Sequence, residues 1–351
     1  MIKHVKPRFI ESKTPRYAMI EWFCRHREGR IVDYLFALQI LREGTGSPLT
    51  PFFIVISEFV IAGGPIILVF VYWCVDKRIG AWGLFNITIG QFATDIVKLT
   101  ACVYRPWLQD GRLYIVPEVA DSATGYSFPS GHTTMACSSF GSIGMWQRRR
   151  LWVVLPMVLL ALLTAFARNW LGAHTLKDVL VAMALVVVVM AVATAAMRYL
   201  DAHPEKDVVF GLGIIAVCGV AAAYVMLKPY PMDYNTAGML LADPHEMTPD
   251  FWGSVGMLLG WTLSWVIERR FIQFDCGGTK GRKAVRFLVG AILFALVYEV
   301  AMPALVAGLD PNLGKFLQRF AAFIAAGCLY PAAIKFVQNR SKNTLSPTTQ
   351  P

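Results

Sequence analysis

Residues 151–198 read LWVVLPMVLLALLTAFARNWLGAHTLKDVLVAMALVVVVMAVATAAMR. Two apolar runs, 151–168 and 175–198, are each long enough to cross the hydrocarbon core of a bilayer. Between them stands a break that carries Arg168, His174 and Asp178. In lipid such side chains are costly, so they face a partner, a cavity or a substrate. His174 and Asp178 are four apart, which on a helix beginning near His174 puts both on one face and lets the carboxylate orient the imidazole. Taken alone, an Arg, a His and an Asp at a helix end are more often a cap and an ion pair.

The same alternation of apolar runs and polar breaks continues through the chain. Its 351 residues are 56% hydrophobic and 16% charged, which identifies an all-α, polytopic transmembrane helical bundle. Nine spans are expected, near 52–75, 79–101, 130–147, 151–168, 175–198, 208–228, 251–268, 285–307 and 315–335. Residues 1–30 form a basic tail without the apolar core of a signal peptide. From Ile31 to Leu41 the apolar positions recur at helical spacing over a length too short to cross, which predicts an N-terminal interfacial amphipathic helix. The expected organisation is a tail and interfacial helix (1–50), a five-span core (51–200), a four-span extension (201–337) and a polar tail (338–351).

The net charge of +10 points to nucleic acid only in a soluble domain; here its distribution reports topology. The loops on the side away from Arg168 and His174 hold sixteen Lys and Arg, and the loops on their own side hold eight. That bias places the sparse side outside the cytoplasm. The amino-terminal residues 1–50, with nine Lys and Arg, then fall on the outer side unless a further segment returns them. The seven cysteines lie singly, without a CxxC pair or a His/Cys cluster, and read as small buried hydrophobes.

Two further stretches lie on the same expected side as Arg168 and His174. Lys98 and Arg105, followed by Pro106, end the second span; seven residues is close to two turns, so the spacing puts both cations on one helix face. Pro129-Ser130-Gly131-His132 opens the third span, where proline suits the first turn and the free amides and dipole of a helix start suit an anion. The Ser130 hydroxyl and nearby amides, Gly131's among them, would bind phosphoryl oxygens, and His132 would stand beside the leaving group as a general acid. Each has a plainer reading, a snorkelling Lys with a boundary Arg and a polar cap.

Taken together, Lys98-x6-Arg105-Pro106, Pro129-Ser130-Gly131-His132 and Arg168-x5-His174-x3-Asp178 resemble the three-part signature of the type 2 phosphatidic acid phosphatase and haloperoxidase superfamily. The resemblance covers residues 50–200; the family's usual serine before the third-motif arginine is Ala167 here. It implies that His174 attacks phosphorus to give a phosphohistidine, that Asp178 holds its tautomer, and that His132 protonates the leaving group and then helps activate water. Lys98, Arg105, Ser130, Gly131 and Arg168 would clamp the nonbridging oxygens, with no metal or other cofactor. The implied protein is an integral membrane phosphatase acting on a lipid phosphate or diphosphate at the extracytoplasmic face of a bacterial plasma membrane. Undecaprenyl diphosphate, a sugar phosphate as in the similarly nine-span glucose-6-phosphatase branch, transfer to another lipid, and a non-catalytic lipid-phosphate carrier are the competing readings. The vanadate chemistry of the haloperoxidase branch belongs to soluble proteins and is disfavoured by the apolar composition.

Other polar positions receive structural readings. Asp95 is expected to pair with Lys98, and Glu58 and Glu299, inside apolar runs, to hydrogen-bond across spans or face water. The histidines at 4, 26, 203 and 245 read as solvated, the Pro-rich loop 228–250 as plain surface, and Gly277–Gly281 as a turn. No nucleic-acid partner is expected.

Overall fold

The computed structural model describes residues 32–235 and 238–345, and no strand forms among them. Helix α1 (32–44) is followed by α2 (Thr50–Cys74), α3 (Lys77–Ala101), the short α4 (Pro106–Gln109) and α5 (Gly131–Trp146). Then come α6 (Leu151–Trp170), α7 (Leu176–Ala202), α8 (Asp207–Leu227) and α9 (Thr248–Ile267). Helix α10 runs from Lys280 to Val306 and α11 from Pro311 to Leu345, each with a π-helical turn, at Leu296–Ala301 and Ala325–Leu329.

Each of the nine expected spans falls on one of these helices, but they are of two kinds. Six helices (α2, α6, α7, α8, α10 and α11) are long and apolar enough to cross a membrane. The other three, α3, α5 and α9, carry more polar residues because their surroundings are protein. On α3 and α5 the side chains of Asn86, Thr94, Thr134 and Ser142 are buried: Asn86 Nδ2 donates to Ser142 Oγ at 2.9 Å, and the hydroxyls of Thr94 and Thr134 are 2.8 Å apart. A polar group away from water needs such a partner.

Small residues let these helices approach. A Cβ on Gly64 would lie 2.5 Å from Ser139 Oγ, and one on Gly256 would lie 2.4 Å from the Phe316 carbonyl oxygen, so α2 meets α5 and α9 meets α11 at van der Waals contact. The last helices join the first through buried aromatics: Trp261 packs edge-on against Tyr72 and Phe85, and Trp73 Nε1 donates to the Ala326 carbonyl at 2.8 Å. At that end Lys77 pairs with the buried Glu268 at 2.8 Å.

Helix α1 lies at the opposite end, against the break between α6 and α7. The Tyr34 hydroxyl donates to Asn169 Oδ1 at 3.1 Å and accepts the Leu176 amide, and Arg42 donates to the Trp170 carbonyl at 2.6 Å. Gln39 bonds both the Arg112 carbonyl and the Tyr114 amide, each at 3.1 Å. No crossing separates residue 32 from α2, so the described start of the chain is on the same side as His174; residues 1–31, with His4, His26 and Cys24, lie outside the described residues. The remaining cysteines are free thiols. Glu58 and Glu299 are both exposed and take no hydrogen bond across spans among the described residues, although Glu58 is a charged neighbour of Arg168. The Gly277 carbonyl accepts from Arg286 at 3.1 Å, as a turn between helices would.

Candidate functional site

The three motifs meet through backbone hydrogen bonds before any side chain is considered. The Ser130 amide donates to the Asp178 carbonyl at 3.1 Å, joining the start of α5 to the first turn of α7. The Ser127 amide donates to the Val103 carbonyl at 2.8 Å, joining the approach to α5 to the segment after α3. Where the chain turns between α6 and α7, Gly172 has φ +75°, and a Cβ there would lie 2.6 Å from the Tyr114 carbonyl oxygen. Only glycine fits that turn without strain.

Two local geometries differ from the sequence expectation. Lys98 and Arg105 do not share a helix: α3 ends at Ala101, Cys102 takes a left-handed conformation (φ 49°), and Arg105 is the N-cap of α4, one residue before Pro106. The helix stops three residues after Lys98, and the turn swings Arg105 back toward the bundle. Nor is His174 on the helix of Asp178. Thr175 is the N-cap of α7, and Asp178 closes a capping box, accepting the Thr175 amide at 2.8 Å while its own amide donates to Thr175 Oγ1 at 3.3 Å. His174 precedes that cap, and Asp178 reaches it by folding back over the helix start.

The resulting geometry around His174 is specific. The ring is buried, with Nε2 3.0 Å from Arg105 Nη1 and Nδ1 3.5 Å from Asp178 Oδ2. A guanidinium only donates, so Nε2 is the acceptor and the imidazole proton sits on Nδ1, which approaches the carboxylate without a hydrogen bond to it. Arg105 is held by more than the imidazole: it also donates to the carbonyls of Gly125, Ala173 and Thr124 at 3.3, 3.0 and 2.9 Å. Most of its donors are committed to backbone.

Arg168 differs. Fully buried at the end of α6, it donates from Nη1 to Ser57 Oγ at 2.9 Å, and its Nε and Nη2 have no hydrogen-bond partner. His132 Nε2, in the first turn of α5, is likewise buried without a partner. The ionisable neighbours of His132 are Arg168, His174, Lys98 and Arg105, so all three motifs converge on one volume. Ser130 caps α5, its Oγ accepting from the Thr133 amide and hydroxyl at 3.4 and 3.0 Å, which leaves its own proton free to donate. A Cβ on Gly131 would meet only Gln91 Oε1, at 3.7 Å. Protein packing therefore does not require glycine there, whereas close approach of an anion to the first amides of α5 would.

Among the described residues Lys98 makes no ion pair at contact distance, and Asp95, its expected partner, is a charged neighbour. The charged neighbours of Lys98 are Arg105, Asp95, Asp250 and Asp178. Loop 228–247 is not a plain surface either. Tyr104 donates to Asp233 Oδ2 at 2.7 Å and the Tyr126 amide to Met247 Sδ at 2.9 Å, so the loop is fastened to both segments flanking Arg105. Nearby, Arg112 donates to both oxygens of Asp110 and holds that carboxyl below the usual carboxylate range. His203 and His245 are exposed and distant in sequence from the cluster, His203 stacking on Tyr199. Among the described residues no three His, Cys, Asp or Glu side chains are grouped as metal ligands.

Comparison with known proteins accords with this geometry. Residues 80–201 match the PAP2 superfamily, and residues 252–341 match a PAP2 superfamily phosphatase transmembrane extension. Undecaprenyl-diphosphatase BcrC of Bacillus subtilis (strain 168) is 30% identical over 146 residues, which are 41% of this chain and 72% of that protein. The chain belongs to the PAP2 superfamily. No solved structure gives a significant match. As a PAP2 phosphatase of the membrane, the protein spans both matched regions, and all of the residues named by the three motifs lie between Lys98 and Asp178, inside the first.

On α2, ahead of the matched PAP2 region, Ser57 is the residue that motif reading overlooked. The superfamily's usual hydroxyl before Arg168 is absent at Ala167, and Ser57, from α2, supplies one to the guanidinium instead. The missing serine was the signal that another donor or acceptor had to be sought. Ser57→Ala would remove the guanidinium's one hydrogen-bond partner among the described residues, a change worth about 1–3 kcal/mol, so kcat/KM should fall roughly fivefold to a hundredfold. Ser57→Thr should restore it. An unchanged kcat/KM in Ser57→Ala, measured as phosphate release, would remove Ser57 from any positioning role.

Proposed function

We propose that this PAP2 membrane phosphatase hydrolyses a lipid phosphate or diphosphate at the extracytoplasmic face through a phosphohistidine. The observation that carries the proposal is the arrangement around His174, with Nε2 held as an acceptor and Nδ1–H toward Asp178. The phosphoryl group enters among Arg168, Lys98, Ser130 and the first amides of α5, and it takes over the Nη1 hydrogen that Arg105 gives to Nε2. The freed lone pair attacks phosphorus, a P–N bond forms, and the P–O bond to the lipid breaks in line. His132 gives its proton to the departing oxygen. In the second half His132 takes a proton from water, the water oxygen attacks phosphorus, the P–N bond breaks, and inorganic phosphate leaves with His174 restored.

Asp178 keeps the Nδ1 proton in place and stabilises the positive charge that the ring acquires. Transition-state charge on the nonbridging oxygens is met by fixed cations, above all the unpartnered Nε and Nη2 of Arg168. The extracytoplasmic assignment rests on the sixteen-to-eight basic bias and on nine crossings, with α3, α5 and α9 passing through the bundle interior and α1 lying at the interface. An outer-leaflet headgroup reaches that end without leaving the bilayer. The likeness to a protein named undecaprenyl-diphosphatase makes a polyprenyl diphosphate the first substrate to test.

Phosphate release should be measured across a lipid monophosphate, a polyprenyl diphosphate and a soluble sugar phosphate, with and without a chelator. Turnover is expected on the lipids and should survive chelation. Preference for the sugar phosphate would move the reading to the glucose-6-phosphatase branch, and loss reversed only by added magnesium would contradict the fixed-cation account.

A further inference from the structure

The end of the bundle opposite the phosphate cluster holds a second, unassigned polar cavity. Arg78 is in the first turn of α3, whose other end carries Lys98; Arg148 follows α5, whose start is capped by Ser130; and Arg198 lies twenty residues along α7 from Asp178. At 1.5 Å per residue that last separation is about 30 Å, the thickness of the hydrocarbon core. These arginines line a cavity of about 540 Å³ together with Trp82, Trp146 and Thr194. The Trp82 indole is fixed by donating to Thr194 Oγ1 at 3.1 Å. Arg78 pairs with Asp201, while Arg148 and Arg198 make no ion pair among the described residues.

A second cavity of about 430 Å³ adjoins the first, with Met145 and Arg148 lining both. It is an almost wholly apolar groove between α5, α6 and α7, walled by Phe140, Met157, Ala161 and Met190. Its outer rim is formed by Val158, Leu162 and Val187, exposed apolar side chains of helices long enough to span the bilayer. A cationic cup opening into an apolar groove that runs down a lipid-facing surface has the chemistry of an amphiphile's site.

We propose that this paired cavity binds an anionic phospholipid of the surrounding membrane, its phosphate among Arg78, Arg148 and Arg198 and an acyl chain in the groove. Charge complementarity excludes a zwitterionic head as the preferred occupant, because the cup holds three cations against the one carboxylate of Asp201. The groove distinguishes a lipid from a free anion. Basic residues near a membrane surface attract acidic lipids by about 1 kcal/mol each, so an intact cup should give a measurable preference.

Purified full-length protein should be exposed to mixed micelles of phosphatidylglycerol and phosphatidylcholine with identical chains, and the retained lipid measured by native mass spectrometry. The wild type is expected to retain phosphatidylglycerol preferentially. Arg148→Ala with Arg198→Ala should cut that preference about tenfold or more, the effect of two surface cations. Gly144→Leu, where a Cβ meets Met157 Cβ at 3.7 Å, projects into the groove and should weaken retention of both lipids. Arg198→Gln, on an exposed position, serves if the double variant does not fold. Equal retention of both lipids by the wild type, an unaltered preference in the arginine variants, or displacement of the lipid by equimolar glycerol phosphate would each overturn the proposal.

Discussion

His174→Ala should abolish turnover, with kcat lowered at least about ten-thousandfold, the scale on which removing a nucleophile acts in covalent mechanisms. The position allows a clean test. His174 lies before the N-cap of α7, so Thr175 and Asp178 can still close their capping box in the variant. Arg105 keeps its bonds to the carbonyls of Gly125, Ala173 and Thr124, so the fold around the site does not depend on the imidazole. His174→Gln supplies an amide oxygen that can accept from Arg105, and it should be as inactive as the alanine variant while melting at the wild-type temperature. A rapid quench of the wild type should trap an acid-labile, base-stable phosphoprotein that neither variant forms. Turnover within tenfold of wild type in either variant would show that another group attacks phosphorus.

The helices and the motif residues were legible because they depend on local pattern. Apolar runs near the bilayer thickness mark spans whatever their neighbours are, and each of the nine falls on a helix. What pattern cannot tell is which helices are enclosed. Asn86, Thr94, Thr134 and Ser142 lower the apolarity of α3 and α5 because those helices answer each other's polar groups, a property of the pair that neither run displays alone. The capping box of Thr175 and Asp178 was present in the sequence as Thr-x-x-Asp, yet spacing alone made a shared helix face look equally good for His174 and Asp178. The break after Lys98 was marked only by Pro106, and a proline places a helix boundary without saying that Cys102 will adopt the left-handed turn.

Longer-range partners had no sequence signal of their own. Ser57 is 111 residues from Arg168, and it stands among apolar residues like other serines that make no such bond. The fastening of Asp233 and Met247 to Tyr104 and Tyr126 likewise joins segments more than a hundred residues apart. Among the last four long helices, α9 therefore contributes to the site's surroundings, since its Asp250 is a charged neighbour of both Lys98 and Arg105.

His132→Ala should cost about a thousandfold with a lipid alkoxide leaving group, within the range for losing a positioned acid. The loss should shrink as the leaving group improves. The nitrophenolate of a nitrophenyl phosphate departs without a proton, so that first step has little need of an acid, and formation of the phosphoenzyme should persist in the variant. Hydrolysis of that intermediate still needs a base to deprotonate water. The variant should therefore release one equivalent of nitrophenol in a burst and then turn over slowly, whereas on the lipid it should show the slow turnover without a burst. This contrast separates proton transfer from phosphate binding. His132 Nε2 is buried without a partner beside Arg168, and if its contribution were only to hold the phosphoryl oxygens, the loss would be the same for both leaving groups and no burst would form. A leaving-group-independent loss would remove the acid and base roles from His132 and leave the attack by His174 standing alone.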